Sequence, residues 1–328
     1  MTKKQKQNLI KGILTVVCLA VLALIWFVFP KDEAPSTDGI SSQSNQSSIV
    51  QDDSQGDGGQ KPNDPDNDVP SEAVEFHFID VGQGDATLIK VGDKNILIDT
   101  GDAGARDELF AYLDSHEVTE IEYFVVTHFD SDHFANGTKL LDEYDVKNVI
   151  VPEQVKTTKM YETFIAKLDE QVIDGKIEVY NANTMIGDKL NIEDLELTIL
   201  APLKNNYKDS NDYSICILAK YGNKKVLLTG DAEKAAEADI VEMYNQSDLD
   251  CDVYKMGHHG SRTSSSQGLL DKATPEIVIV SCGLDNKYGH PHKEAMDRVQ
   301  GLTVYRTDTQ GTIVLTIVND ILSFTTEK

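Results

Sequence analysis

The stretch Thr127–Gly137, THFDSDHFANG, follows directly on the apolar run EYFVV and sets two histidines and two aspartates within six residues, His128 to His133. A regular strand or helix cannot turn His128, Asp130, Asp132 and His133 onto one ion. A tight loop can divide them between two ions about 3.5–4 Å apart, the spacing of two-metal hydrolases. The alternative is an acidic surface loop, and the surrounding chain bears on which reading holds.

Other polar clusters fall in the same kind of place. KKVLLTG runs into Asp231, DVYKMG into HHGSRTSSS, and EIVIVSCGLDN into KYGHPHK. Each follows a strand-like apolar run, and in α/β folds ligands bind where loops converge at strand ends. Six of the eight histidines lie in these loops: His128, His133, His258, His259, His290 and His292. His77, in a strand pattern, and His116, near a helix end, read as structural. A carboxylate such as Asp231 is placed to bridge two ions, and His258 or His259 to complete the second position. A metal lowers the pKa of its water toward about 7, so a metal-bound hydroxide serves as nucleophile without a catalytic serine or cysteine. Ser261, Arg262 and Thr263 offer donors suited to phosphate oxygens. His290 is read as facing the site, with Lys287 and Lys293 making a locally basic spot. DVGQGD (80–85) reads as a tight glycine turn, with Asp80, Gln83 and Asp85 touching the site as the alternative.

The strand-like runs are VEFHFID, DATLIKV, KNILID, EYFVVT, NVIV, LELTIL, YSICILAKY, KKVLLTG, DVYKM, EIVIVS, LTVYRT and GTIVLTIV. Helical patterns at 105–115, 136–144, 158–171, 233–244, 266–273 and 293–300 interleave with them, which predicts an α/β architecture. YSICILAKYGNKKVLLTG reads as a hairpin turning at 221–223.

Ahead of this body, Gly12 to Phe29 is 18 residues without a charge. At ~1.5 Å per residue it spans roughly 27 Å, the thickness of a hydrocarbon core. Lys3, Lys4, Lys6 and Lys11 precede it, so residues 1–30 are expected to be a cytoplasmic tail and a single-pass membrane anchor, with the catalytic domain extracytoplasmic. Residues 31–72 hold little but Ser, Gln, Asp, Gly, Asn and Pro, as in a disordered acidic linker. Residues 73–328 form the hydrolase-like domain. They carry 45 acidic and 24 basic side chains, a net of −21, which disfavours tight duplex binding. Cys18, Cys216, Cys251 and Cys282 show no CxxC spacing and read as reduced, buried residues.

HFDSDH resembles the HxHxDH signature of the metallo-β-lactamase fold, with Asp130 where the second histidine stands. FIDVGQGDATLI, ILIDTG, LLTGDAE, KMGHHGSRTSSS, YGHPH and TDTQGTI are similar, in the same order, to the C-terminal nuclease-like domain of ComEC-type competence proteins. The likeness covers nearly all of 74–328. It implies a four-layer αβ/βα sandwich with a dinuclear site at its edge. It places His128 and Asp130 on one metal, Asp132 and His133 on the other, Asp231 between them and His259 as the last ligand. Asp132 and His258 are then the catalytic candidates, with His258 meeting the substrate or leaving group. Asp99 supports the loop from behind. Relatives in the wider fold supply a histidine within a region that here reads KDSNDYS, so that Asp212 or a water fills the gap, or one of the two sites is weak. The implied cofactors are two divalent ions, zinc or manganese, and the oxygen ligand Asp130 favours manganese. The multi-helix channel of ComEC-type proteins has no counterpart here, so a transport role does not carry over.

The expected function is a membrane-anchored, metal-dependent phosphodiesterase acting on DNA. The alternatives are a cell-envelope phosphodiesterase such as a phosphocholine esterase, and a non-catalytic metal-binding module. β-Lactam hydrolysis rests on the fold name alone.

Overall fold

A computed structural model describes residues 73–328. The anchor and linker expected over 1–72 lie outside the described residues. Among the described residues no helix is long and apolar enough to cross a membrane.

The strands are β1 (Val74–Phe78), β2 (Thr87–Val91), β3 (Lys94–Ile98), β4 (Glu120–Val125), β5 (Asp145–Val151), β6 (Glu178–Asn181), β7 (Lys189–Ile192), β8 (Leu195–Ala201), β9 (Cys216–Tyr221), β10 (Lys224–Leu228), β11 (Val253–Lys255), β12 (Ile277–Val280), β13 (Thr303–Arg306), β14 (Ile313–Val318) and β15 (Ile321–Thr326). The helices are α1 (Arg106–Ser115), α2 (Ser131–Phe134), α3 (Gly137–Glu143), α4 (Lys159–Ile173), α5 (Lys234–Met243), α6 (Gln246–Leu249), α7 (Gln267–Ala273), α8 (Lys293–Arg298) and α9 (Thr307–Gln310).

The strands form two sheets, in the orders β15-β14-β1-β2-β3-β4-β5-β6 and β13-β12-β11-β10-β9-β8-β7. Period-two alternation explains the packing, because successive strand side chains point to opposite faces. In β3, Ile96 and Ile98 enter the core shared by both sheets, while Leu97 joins the layer that includes Leu109, Leu140 and Phe164 of α1, α3 and α4. The second sheet has its own outer layer, in which Leu227, Tyr254 and Val278 meet Ile240, Leu269 and Ala295 of α5, α7 and α8. The result is an α/β sandwich of two sheets with helices over each outer face. α4 shows the local logic. Thr158 caps it by accepting from the Tyr161 amide, and Tyr161, Phe164 and Leu168 bury one face at helical spacing.

The hairpin at 221–223 forms as expected, with Tyr221 opposite Lys224 across a two-residue turn. β3, β4, β5 and β6 run parallel, as do β10, β11, β12 and β13. Within each sheet the loops leaving parallel strands therefore emerge on one side, and the polar clusters sit in these loops. Cys216, Cys251 and Cys282 are buried and free, and burial pushes the Cys282 thiol up to about 12.

His77 is structural, as expected. Its Nδ1 accepts from the Tyr112 hydroxyl at 2.7 Å and its Nε2 donates to Glu75 at 3.2 Å. Burial outweighs the Glu75 carboxylate and lowers its pKa to about 4. The unfolded chain therefore takes up this proton near 6.5 while the folded chain resists it, so stability is lost as pH falls from 6.5 toward 4. Between pH 7 and 5 this group is expected to remove roughly 2 kcal/mol. Guanidinium unfolding at the two pH values measures it. A His77→Phe variant should lose less than the native chain, and an equal loss in both contradicts the assignment.

Candidate metal centre

The loop after β4 turns at once into α2, which is a single helical turn. Asp130 sits at its N-cap in extended conformation, and His133 lies in its last turn. The short helix separates His128 from His133 in chain direction yet leaves their rings 4.2 Å apart. The turn 80–85 presses against this loop. The Asp85 amide donates to the Asp132 carbonyl at 3.1 Å, and a Cβ on Gly84 would lie 2.6 Å from that carbonyl. Only glycine fits there. The turn is thus the expected tight one, but it also packs directly on the cluster.

Asp231 follows β10 across Thr229 and Gly230, and its amide donates to Ser214 Oγ at 3.0 Å. Its Oδ2 lies 3.2 Å from His133 Nε2, 3.4 Å from His259 Nε2 and 3.8 Å from His258 Nε2. Asp132 Oδ2 is 3.5 Å from His259 Nε2, and Asp130 Oδ2 is 4.0 Å from His128 Nε2. His258 and His259 both take positive φ, 49° and 54°, in the loop after β11. That uncommon backbone sends one ring toward Glu233 and the other into the cluster.

Outer partners fix which nitrogen each ring presents. His133 Nδ1 donates to Asp99 Oδ2 at 2.7 Å, and Asp99 also accepts from the Thr127 amide and hydroxyl. His259 Nδ1 donates to the Ser281 carbonyl at 3.0 Å. Both rings therefore turn Nε2 inward. Burial opposes the charged forms, but His133 and His259 beside Asp231 hold its carboxyl well below the usual range, and Asp231 and Asp99 together hold His133 well above. Burial and the neighbouring His133 drive His128 down to about 3.

Nε2 of His128, His133 and His259 and Oδ1 of Asp231 are buried without a hydrogen-bond partner. Unpaired buried polar atoms are costly and rare. Here four converge, and two sets of side chains, His128 with His133 and Asp231, and Asp132 with His133 and His259, bring ligand atoms within 4.8 Å of one another. Imidazole and carboxylate donors of this kind suit zinc, manganese or iron. The residues fit divalent cations.

His290 is buried, with its ring 5.3 Å from His258 and 6.0 Å from His259 and its Nδ1 unpartnered. Folding gives the neighbouring loop residues partners of their own. Ser261 and Thr263 share a hydrogen bond, and Thr263 Oγ1 donates onward to Glu233. Arg262 is exposed and pairs with Glu294 at 3.5 Å. Each of these side chains thus has a protein partner in the fold. Lys293 pairs with Asp297 one turn on, so the expected basic spot shrinks to Lys287. Asp212 does not replace the missing histidine. Its Oδ1 accepts from the amides of Glu233 and Ala236 at the start of α5.

Four contributors were not legible in the sequence. Glu233, read as part of a packing helix, accepts from His258 Nδ1 at 2.9 Å. Lys156 and Ser210 both hydrogen-bond Asp130 Oδ1. Lys255 forms a buried pair with Asp85 behind the cluster. A cavity of about 550 Å³ adjoins Asp132, lined also by Asp80, Gln83, Asp102, Glu108, Lys287 and Tyr288.

An outer carboxylate that orients a ligand histidine is worth 10–100-fold in metal affinity, by the general behaviour of such sites. Asp99→Asn is therefore expected to weaken divalent binding by about 10–100-fold. Titration of the metal-free chain measures this, and unchanged affinity contradicts the role given to Asp99.

A two-sheet sandwich with helices outside and a His/Asp cluster at its strand ends defines the class. The profile of the metallo-beta-lactamase superfamily matches residues 79–283, and the chain belongs to that superfamily. Competence proteins of the ComEC type are among its homologues. It is 28% identical over 273 residues to ComE operon protein 3 of Bacillus subtilis, covering 76% of this chain and 34% of that protein. It is 31% identical over 241 residues to Recombination protein 2 of Haemophilus influenzae, covering 72% and 27%. The chain thus spans about a third of the length of these relatives. Among solved structures it resembles the metallo-beta-lactamase fold protein YhfI of Bacillus subtilis, with TM-score 0.50 and 12% identity over 73% of this chain and 98% of that one. That likeness is one of fold.

Proposed function

We propose that this chain is a divalent-metal-dependent phosphodiesterase that cuts DNA, acting outside the cytoplasm from a membrane anchor within residues 1–30. The observation that carries the reading is the convergence of four unpartnered buried ligand atoms at strand ends. The competence-protein homologues support DNA as the substrate. His128 and Asp130 would hold one cation and Asp132, His133 and His259 the other, with Asp231 between them. Bound there, divalent cations supply Lewis acidity and activate water at neutral pH.

The chain's own residues do the rest. Asp99 and the Ser281 carbonyl lock the two inner imidazoles. Glu233 accepts a hydrogen bond from Nδ1–H of His258 and favours its imidazolium form, whose Nε2–H faces the cluster and can pass its proton to the departing oxygen, leaving a neutral ring still bonded to Glu233. Carboxylates around the site keep a long polyanion at a distance, which suits a single strand presented one phosphate at a time. The test is incubation of the purified chain with single-stranded and linear duplex DNA in Mn²⁺. Cleavage by the native chain and none by Asp132→Ala is expected. Equal cleavage by both, or none by either, defeats the proposal.

One observation favours a second reading. The cavity beside Asp132 carries four carboxylates, Asp80, Asp102, Glu108 and Asp132, against one lysine. Such a lining suits a small phosphodiester bearing a cation, as in a phosphocholine ester. Against it, Tyr288 is the one aromatic ring among the lining residues, short of the cage that quaternary ammonium groups favour. Hydrolysis of a chromogenic choline phosphodiester without DNA cleavage would decide for it.

A further inference from the structure

The cluster is electrostatically lopsided. Asp130 Oδ1 accepts from Lys156 Nζ at 2.5 Å and from Ser210 Oγ at 2.7 Å, and Lys156 also touches Ser210. The other oxygen of Asp130 remains toward His128. Asp132 and Asp231 have no such partner, and the side chains they pair with are histidines. One side of the cluster therefore holds an ammonium directly on a ligand carboxylate, part-buried with 22% of its side chain exposed, whereas the ammonium behind the other side, Lys255, is paired with Asp85 and not with Asp132 or Asp231.

Asp130 stands where the resemblance in sequence places an imidazole, which is neutral. A carboxylate adds a negative charge, and Lys156 cancels it. The Asp130–Lys156 pair is thus a one-oxygen ligand of no net charge. Its ammonium also lies beside any dication held by that oxygen and repels it, whereas an imidazole would not.

We propose that Lys156 is a positioning residue that holds Asp130 by Oδ1, offers Oδ2 to the His128 side, and makes that side the weaker and exchangeable of two cation positions. The tight position is the one formed by Asp132, His133 and His259. The inference rests on the reading of the cluster as a cation site. Ser210 steadies the pair without charge, so its hydroxyl governs geometry more than affinity.

The experiment is calorimetric titration of the metal-free full chain with Mn²⁺, with the ions retained after dialysis counted by elemental analysis. The native chain should bind two ions in unequal steps and retain one. Lys156→Met should tighten the weak step by roughly tenfold or more, since a unit charge a few ångströms away in a part-buried site has that effect. Lys156→Arg, which keeps the charge, should behave as the native chain, and Ser210→Ala should change the weak step by only a few-fold. Equal melting temperatures establish that the variants fold, and should Lys156→Met fail to fold, unequal steps in Lys156→Arg and Ser210→Ala carry the decision. Two equal steps in the native chain overturn the proposal, as does a Lys156→Met weak step that is unchanged, weakened or absent. A native chain that binds no ion at all instead removes the underlying metal-site reading, so the two failures are distinguishable.

Discussion

Asp231→Asn is expected to abolish hydrolysis and strip the protein of tightly held divalent metal while leaving its fold intact. The side chain is nearly isosteric and its backbone amide keeps the Ser214 contact. What changes is the charge at the point where Nε2 of His133, His258 and His259 come within 3.2–3.8 Å. Loss of an outer partner such as Asp99 costs about 10–100-fold in affinity, and Asp231 touches more of the cluster, so its loss should exceed that range. Metal content after gel filtration and phosphodiester hydrolysis are the two measurements. Asparagine at this position with native metal content and native rate would mean that Asp231 is a buried ion-pair partner and nothing more.

The largest effect on stability is expected behind the cluster. Lys255 on β11 and Asp85 at the end of the 80–85 turn form an ion pair with side chains 3% and 5% exposed. It ties one sheet to the turn that supports the metal loop. Removing one partner leaves the other charged and buried, which typically costs 3–5 kcal/mol. Lys255→Met is expected to lower stability by about 3–5 kcal/mol, because Asp85 then has no cation. Asp85→Ala with Lys255→Met should recover most of that loss, since an apolar pair has no charge to desolvate. Guanidinium unfolding of the three proteins gives the comparison. A Lys255→Met loss below 1 kcal/mol would show that water reaches the pair.

How much of this was legible in the sequence depends on distance along the chain. Continuous apolar runs such as EYFVV and KKVLL announced buried strands, because a short apolar run is a local property. β6 and β7 escaped because they are four residues long and mostly half-exposed, and β15 because only alternate residues face the core. His128, Asp130, Asp132 and His133 stood out by crowding into one loop. Asp231 and His259 were reachable because each ends an apolar run. Lys156, Ser210, Glu233 and Lys255 were not. Each is an ordinary polar residue whose partner lies 25 to 170 positions away: Lys156 with Asp130, Ser210 with Asp130, Glu233 with His258, and Lys255 with Asp85. The partners of Ser261, Arg262 and Thr263 were hidden for the complementary reason. Donors in a loop near a site look available until the acceptors Glu233 and Glu294 are brought beside them by folding.

The central claim is that His128, His133, His259 and Asp231 point inward to hold divalent cations. Anomalous diffraction from crystals grown with Mn²⁺ tests it most directly. The account predicts peaks bonded to Nε2 of the three histidines and to the Asp231 carboxylate. Well-ordered crystals with these side chains in place and no anomalous density among them, at millimolar Mn²⁺ or Zn²⁺, would contradict it.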